Sequence, residues 1–275
     1  MNTATQLLRG TLLRPTLRKP VFQPLWKNVH KLALWGMNIG PAGQLADSSE
    51  SWVLEYCSRR LATAEKFILF DGGANVGHYT QDAMRIVGLR LEAYCFEPSP
   101  RTFAELKRNL SGANNVTLMP FGLSDESCER QLFSHVGGGA EASLVRRDMS
   151  HWGIQQNVVD TVQLRCLDDV CAAEGLSHID LLKLDIEGHE LSALRGAQNM
   201  IRNRRIRFIQ FEFGAPDIES KTFFKDIFKF LSSDYRIHRV VYHGLTPIDT
   251  YSEFHETFAT ANFLAVVRDA SECAC

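Results

Sequence analysis

From residue 67 onward, apolar runs of strand length alternate with segments of helical period. Residues 67–70 are a short apolar run, followed by Asp71-Gly72-Gly73-Ala74-Asn75-Val76-Gly77 and a helical segment to about residue 87. Residues 91–96 predict a second strand, 100–110 a second helix with Pro100 in its first turn, and 116–119 a third strand. Later strands are predicted at 179–184, 208–213 and 262–267, and later helices at 190–201 and 221–231. Apolar strands spaced by helices imply a mainly parallel sheet covered on both faces. The fold class is therefore α/β, doubly wound. Residues 124–178 interrupt the rhythm with extended runs at 131–135 and 158–164 around Gly137-Gly138-Gly139, an insertion expected to lie over the site. Ahead of the first strand, Asp47, Ser48, Ser49 and Glu50 supply a cap and an acid for a helix over 52–61.

Composition changes this picture at one end. The 275 residues hold 30 Lys and Arg against 32 Asp and Glu, a formal net charge of −2. Residues 1–46 carry Arg9, Arg14, Arg18, Lys19, Lys27 and Lys31 and no acid, which leaves 24 cations against 32 acids, or −8, in the rest. The chain thus reads as a basic helical arm (1–46), a domain (47–270) whose segment 124–178 lies on the substrate side, and a tail (271–275). Leu25, Trp26, Leu32, Leu34, Trp35 and Met37 suggest that part of the arm packs on the body as a helix. Its cations also suit an acidic body, a partner subunit, an anionic saccharide carrier, or peripheral contact with anionic lipid, and a homo-oligomer is a further possible assembly. An Arg-rich, acid-free start is shared with organelle transit peptides, but the apolar pairs broken by Arg9 and Arg14 form no secretory signal core. No apolar run reaches the roughly 18 residues of a membrane-spanning helix, and near-neutral overall charge argues against wholesale nucleic-acid binding. Seven scattered cysteines without paired spacing fit a reducing cytoplasm and suggest no zinc site.

The candidate chemistry begins at Asp71. A strand ending there, then Gly72, Gly73 and Gly77 at a helix start, forms a loop that lets backbone approach a ligand. Glu97 ends the next strand, where an acid can hold ribose hydroxyls. The dinucleotide fingerprint is G-x-G-x-x-G, whereas this loop is Gly-Gly-x-x-x-Gly with a carboxylate at its head. An acid there repels pyrophosphate and suits a ligand carrying an ammonium group. That favours S-adenosylmethionine over NAD.

The loop, with Phe96-Glu97-Pro98, Lys183-Leu184-Asp185-Ile186-Glu187-Gly188-His189-Glu190 and Phe211-Glu212, resembles the FkbM family over roughly residues 45–268. Those are class I S-adenosylmethionine-dependent methyltransferases, commonly acting on hydroxyl oxygens of sugars and natural products. The resemblance implies a Rossmann-like seven-stranded sheet whose last strand is antiparallel, with residues 235–242 and 259–268 as the closing pair. It also implies that Asp71 to Gly77 surround the methionine part (Gly72, Gly73 and Asn75 among them), that Glu97 holds the ribose, and that Asp125 lies near the adenine amino group. Asn75 and Thr80 either add polar contacts or cap the helix.

Lys183 and Asp185 share parity along their strand, about 7 Å apart on one face. Lys183 reads either as an ion-paired support or as a catalytic group. Asp185 and Glu212 end adjacent strands, where such sheets bind ligands. His189 lies about 200° around its helix from Leu191 and so points off the apolar stripe. It is either a general base or a hydrogen-bonded support. The expected reaction is in-line methyl transfer to a hydroxyl oxygen, with His189 or Asp185 as base. A second route has Asp185, Glu187 and Glu212 bind Mg²⁺. Arg146, Arg147, His151 and Trp152 in the insertion are candidate acceptor contacts. The rival functions are an NAD-linked oxidoreductase and a nucleoside-binding protein without catalysis.

Overall fold

The computed structural model describes residues 14–40, 46–135, 142–148, 150, 153 and 156–268. The predicted contacts His151 and Trp152, the 137–139 glycines and the 271–275 tail lie outside them. The chain divides into two compact units, Met1–Ala42 and Gly43–Cys275. In the first, a 3₁₀ turn at Pro20–Phe22 leads into helix α1 (Gln23–Gly36).

The second unit opens with α2 (Ala46–Arg60), longer at its N-terminus than the capping pattern predicts. There follow β1 (Phe67–Gly72), α3 (His78–Val87), β2 (Leu91–Phe96), α4 (Pro100–Asn109) and β3 (Val116–Met119). The insertion holds β4 (Gly122–Leu123), β5 (Cys128–His135), β6 (Gln156–Arg165) and α5 (Leu167–Ala173). After it come β7 (Ile179–Leu184), α6 (Glu190–Gly196), α7 (Gln198–Arg202) and β8 (Ile206–Phe213). The chain closes with α8 (Pro216–Ser220), α9 (Phe224–Leu231), β9 (Tyr235–Val241), β10 (Gly244–Ile248) and β11 (Ala261–Val267).

The main sheet has the order β10-β9-β11-β8-β7-β1-β2-β3. β1 runs parallel to β2 and β7, β7 parallel to β8, and β11 antiparallel to both β8 and β9. The antiparallel closing strand matches expectation. The strand count does not: there are eight, because the chain turns at Tyr242-His243 and β10 pairs back on β9 as an edge. The insertion forms its own small sheet, β4-β6-β5, with a bulge between Leu132 and Phe133.

β1 is buried along its whole length, as a central strand of a covered sheet must be. On one face Phe67 and Leu69 pack with Leu181, Phe208 and Leu264 under Val53, Leu54 and Cys57 of α2, Ala83 and Val87 of α3 and Leu106 of α4. Phe70, on the other face, meets Tyr94 and Phe96. Two predicted helices break where backbone crowds. The segment 190–201 divides at Ala197 because Gly196 lies against Ser124, whose carbonyl oxygen would be 1.8 Å from an added Cβ. The helix predicted from 221 instead restarts at Phe224, after Lys221 turns left-handed at φ 57°.

Candidate functional site

At the carboxyl ends of β1, β2 and β7 lies a cavity of about 320 Å³. Its floor is the loop after β1. The Gly73 and Ala74 amides both donate to the Phe96 carbonyl at 3.0 Å, and the Asp185 amide donates to the Gly72 carbonyl at 3.1 Å. This lacing pulls the loop against β7: a Cβ on Gly73 would sit 2.0 Å from the Asp185 carbonyl oxygen, and the residue holds φ 77°. Only glycine meets both conditions. Gly77, at φ 96°, caps α3 against Leu106 of α4.

Glu97 lines the cavity from the end of β2. Its two carboxyl oxygens accept from the Ser99 amide at 2.8 Å and the Asn75 amide at 3.1 Å. Burial raises its carboxyl to about 7 in spite of those bonds. Asn75, Gly73, Asp185 and Lys183 join Glu97 in the lining, together with Glu187.

The other site residues read from the sequence stand elsewhere. Asp71 is fully buried beneath the floor and does not line the cavity, contrary to its expected place around a ligand. Parity explains why: it follows Phe67 and Leu69 into the face covered by α3. There it accepts from Thr80 Oγ1 at 2.7 Å, with Lys183 Nζ 3.8 Å away. Burial raises Asp71, while Lys183 and Thr80 act against that rise. Thr80 thus serves Asp71 and neither caps the helix nor lines the cavity. Lys183 also donates to Asp185 at 3.3 Å and lies 4.8 Å from the Tyr79 ring centre. Burial pulls its ammonium down, but Asp185 and Asp71 overcome this and hold its proton more tightly than usual. Lys183 is thus ion-paired to two carboxylates beside the cavity.

His189 is absent from the lining, and its Nε2 lies 2.9 Å from Ser124 Oγ. Ser124 Oγ donates to Asp125 at 3.0 Å. Burial lowers the His189 pKa. Gly72, Gly77, Asp125 and Glu212 also stand outside the lining.

Burial, reinforced by Asp185, Glu187 and Glu50, raises Glu212 to about 9. The predicted metal set does not assemble. Among the described residues no group of three or more His, Cys, Asp or Glu could hold a metal ion. Arg147 engages Glu187 at 3.0 Å and Lys183 engages Asp185. Arg147 therefore supports the roof: Ser143 Oγ donates to the Glu187 carbonyl at 2.9 Å, the Arg147 amide donates to Gln156, and Ala142 and Leu144 face the cavity. Arg146 is not in the lining.

Several lining residues escaped the sequence reading, among them Glu50 and Tyr79. Glu50 reaches the cavity from α2, where it had been read as a helix-start acid. Tyr79 donates to Gln210 at 2.8 Å and shields Lys183. The lysine in an otherwise apolar strand was the available signal that a buried polar partner had to exist. The lining is acidic, with Glu50, Glu97, Asp185 and Glu187 against Lys183, its sole Lys or Arg among the described residues.

Comparison with known proteins agrees with this geometry. The chain is 28% identical over 162 residues to the 2-O-methyltransferase NoeI of Sinorhizobium fredii, covering 55% of this chain and 65% of the relative. It is 24% identical over 169 residues to the hexuronic acid methyltransferase AglP of Haloferax volcanii, covering 61% and 62%. It is also 27% identical over 158 residues to the 31-O-demethyl-FK506 methyltransferase FkbM of Streptomyces tacrolimicus, covering 48% and 60%. In each case the match spans less than two thirds of the relative's length. The methyltransferase FkbM domain model matches residues 71–238, more than half of the chain and the whole span from the Gly-rich loop to the closing strands, so this chain belongs to the FkbM methyltransferase family.

Proposed function

We propose that the chain is an S-adenosylmethionine-dependent O-methyltransferase acting on a hydroxyl of a sugar, a sugar acid or a related natural product. The observation that carries this is the acidic cavity at the strand ends. Four carboxyl groups face it, and its lysine is already engaged by two carboxylates, so it suits a cationic ligand and repels a pyrophosphate. When bound, the cofactor supplies an electrophilic methyl group on a positively charged sulfur.

The chain's own residues then have separate tasks. Glu97, held open by two backbone amides, accepts from ribose hydroxyls when ionised. Gly73 and Asn75 present backbone close to the ligand. Glu50 offers a carboxylate to an ammonium group, while Asp71 lies buried beneath the floor. Asp185 lines the cavity with its side chain 37% exposed, which supports the reading that it takes the acceptor's hydroxyl proton. Lys183 orients Asp185, and the roof over Glu187 keeps water from the methyl group. The sugar-acid reading rests on the names of the relatives, two of which specify O-methylation and one a hexuronic acid.

The test combines calorimetric binding of S-adenosylhomocysteine and NAD with transfer of labelled methyl from S-adenosylmethionine to a panel of uronic acids, neutral sugars and polyketides. Binding of S-adenosylhomocysteine but not NAD, with label on at least one hydroxylated acceptor, is expected. Preference for NAD would overturn the reading. Binding of S-adenosylhomocysteine without transfer to any acceptor would leave a binding protein.

A further inference from the structure

The N-terminal unit carries a surface that the catalytic reading leaves unused. Trp26 Nε1 donates to the Thr16 carbonyl at 3.2 Å, folding the turn at 14–18 back onto α1. At about 100° per residue, Leu25, Val29 and Leu32 fall within about 60° of one another, with Trp35 about 60° further round from Leu32 and Val21 in the 3₁₀ turn ahead of the helix. These side chains are exposed, Leu32 and Trp35 at 64% each and Val21 at 76%. Lys27 and Lys31 take the opposite face and flank. Arg14, Arg18 and Lys19 stand in the turn ahead of the helix, and the unit holds no Asp or Glu.

We infer that residues 14–40 dock peripherally on an anionic lipid bilayer, with Leu25, Val29, Leu32 and Trp35 entering the acyl boundary and the cations meeting headgroup phosphates. An apolar stripe bordered by tryptophan and opposed by lysines is the pattern of a helix lying in a membrane interface. Charge decides among occupants of the stripe. A second copy would bring one acid-free cationic unit against another, which is repulsive. A neutral apolar partner would leave the cations without a role. A bilayer containing anionic lipid satisfies both halves of the helix, and lysine and arginine stems are long enough to reach phosphate from the flank. The inference stands apart from the methyl-transfer reading.

The experiment is flotation of the full chain with vesicles of phosphatidylcholine alone, or of phosphatidylcholine with phosphatidylglycerol, at low and high salt. Binding to the anionic vesicles at least tenfold tighter than to the neutral ones, weakened by salt, is expected. The double variant Leu32→Ser/Trp35→Ser and, separately, Lys27→Glu/Lys31→Glu should each lower that binding about tenfold or more. Both should leave S-adenosylhomocysteine affinity and circular dichroism unchanged. Absent binding, equal binding to both vesicle types, or binding indifferent to both variants would overturn the inference. So would a dimer in solution that Leu32→Ser/Trp35→Ser dissolves, which would assign the stripe to a second copy. Protection of the stripe against hydrogen exchange in the lipid-free monomer would assign it to the chain's own body and overturn it equally.

Discussion

Asp185 and His189 lie four residues apart and have different surroundings, and substitutions should separate them. Asp185→Asn keeps the size of the side chain but removes the proton acceptor, so kcat should fall about 100-fold or more while S-adenosylhomocysteine affinity changes little. His189→Asn should retain most of the activity, because the histidine is hydrogen-bonded to Ser124 and does not line the cavity. Collapse of turnover in a folded His189→Asn protein would reinstate the histidine as base. Glu97 gives a pH signature. Burial raises it to about 7, so below that pH its carboxyl is neutral and a poor acceptor for hydroxyl groups. S-adenosylhomocysteine affinity should therefore rise with pH through about 7 and then level off, and Glu97→Gln should flatten that rise. At this scale the sequence was half legible. The loop glycines, Glu97 and Asp185 could be found from spacing, because strand ends and left-handed turns leave a mark on residue type. The burial of Asp71 was equally available from its parity with Phe67 and Leu69, but the functional meaning of an acid before glycines masked it. The Ser124–His189 bond joins residues 65 apart, and no local pattern reports such a contact.

Among elements, the junction of β1 and β7 is the most constrained. Replacing Gly73 by alanine would bring a Cβ to 2.0 Å from the Asp185 carbonyl in a left-handed backbone, so the loop or the end of β7 must move. The expected cost is about 2 kcal/mol or more in stability, read by urea unfolding, with at least tenfold weaker S-adenosylhomocysteine binding. Gly175, at φ 67° with open space around it, lacks the neighbour and should lose only about 1 kcal/mol on the same change. The strands of the main sheet were legible because residues buried on both faces write a continuous apolar run. The break at Ala197 was not, since its cause is Ser124 of a distant segment. β10 was missed for another reason: as an edge strand with exposed Thr246 and Pro247, it carries no apolar run.

For the whole molecule, buried acids link fold to pH. Asp217 accepts from the Gly214 amide at 2.9 Å while its other oxygen has no hydrogen-bond partner, and burial raises it to about 7. Glu190, likewise buried with one oxygen unpartnered, is raised by burial and by Asp217. A carboxyl raised in the fold binds its proton more readily than in the unfolded chain, where it titrates near 4. The stability it contributes is complete below about pH 4 and is lost as pH climbs through about 7. Asp217→Asn removes that loss and keeps an oxygen for Gly214. Its Tm should exceed that of the unmodified protein by several degrees at pH 8, with the gap shrinking toward pH 4. A gap independent of pH would show that Asp217 is already ionised throughout.

The roof over the cavity also sets a clock. Among the described residues its ties to the loop after β7 include the Arg147–Glu187 ion pair and the hydrogen bond from Ser143 to the Glu187 carbonyl, and Glu187 itself holds a left-handed φ of 55°. On the proposed function, a spent nucleoside would leave from beneath that roof, and weakening either tie should ease its departure. An Arg147→Ala enzyme should therefore release S-adenosylhomocysteine faster in stopped-flow measurements. Where release limits turnover, steady-state rates would rise even as single-turnover rates fall.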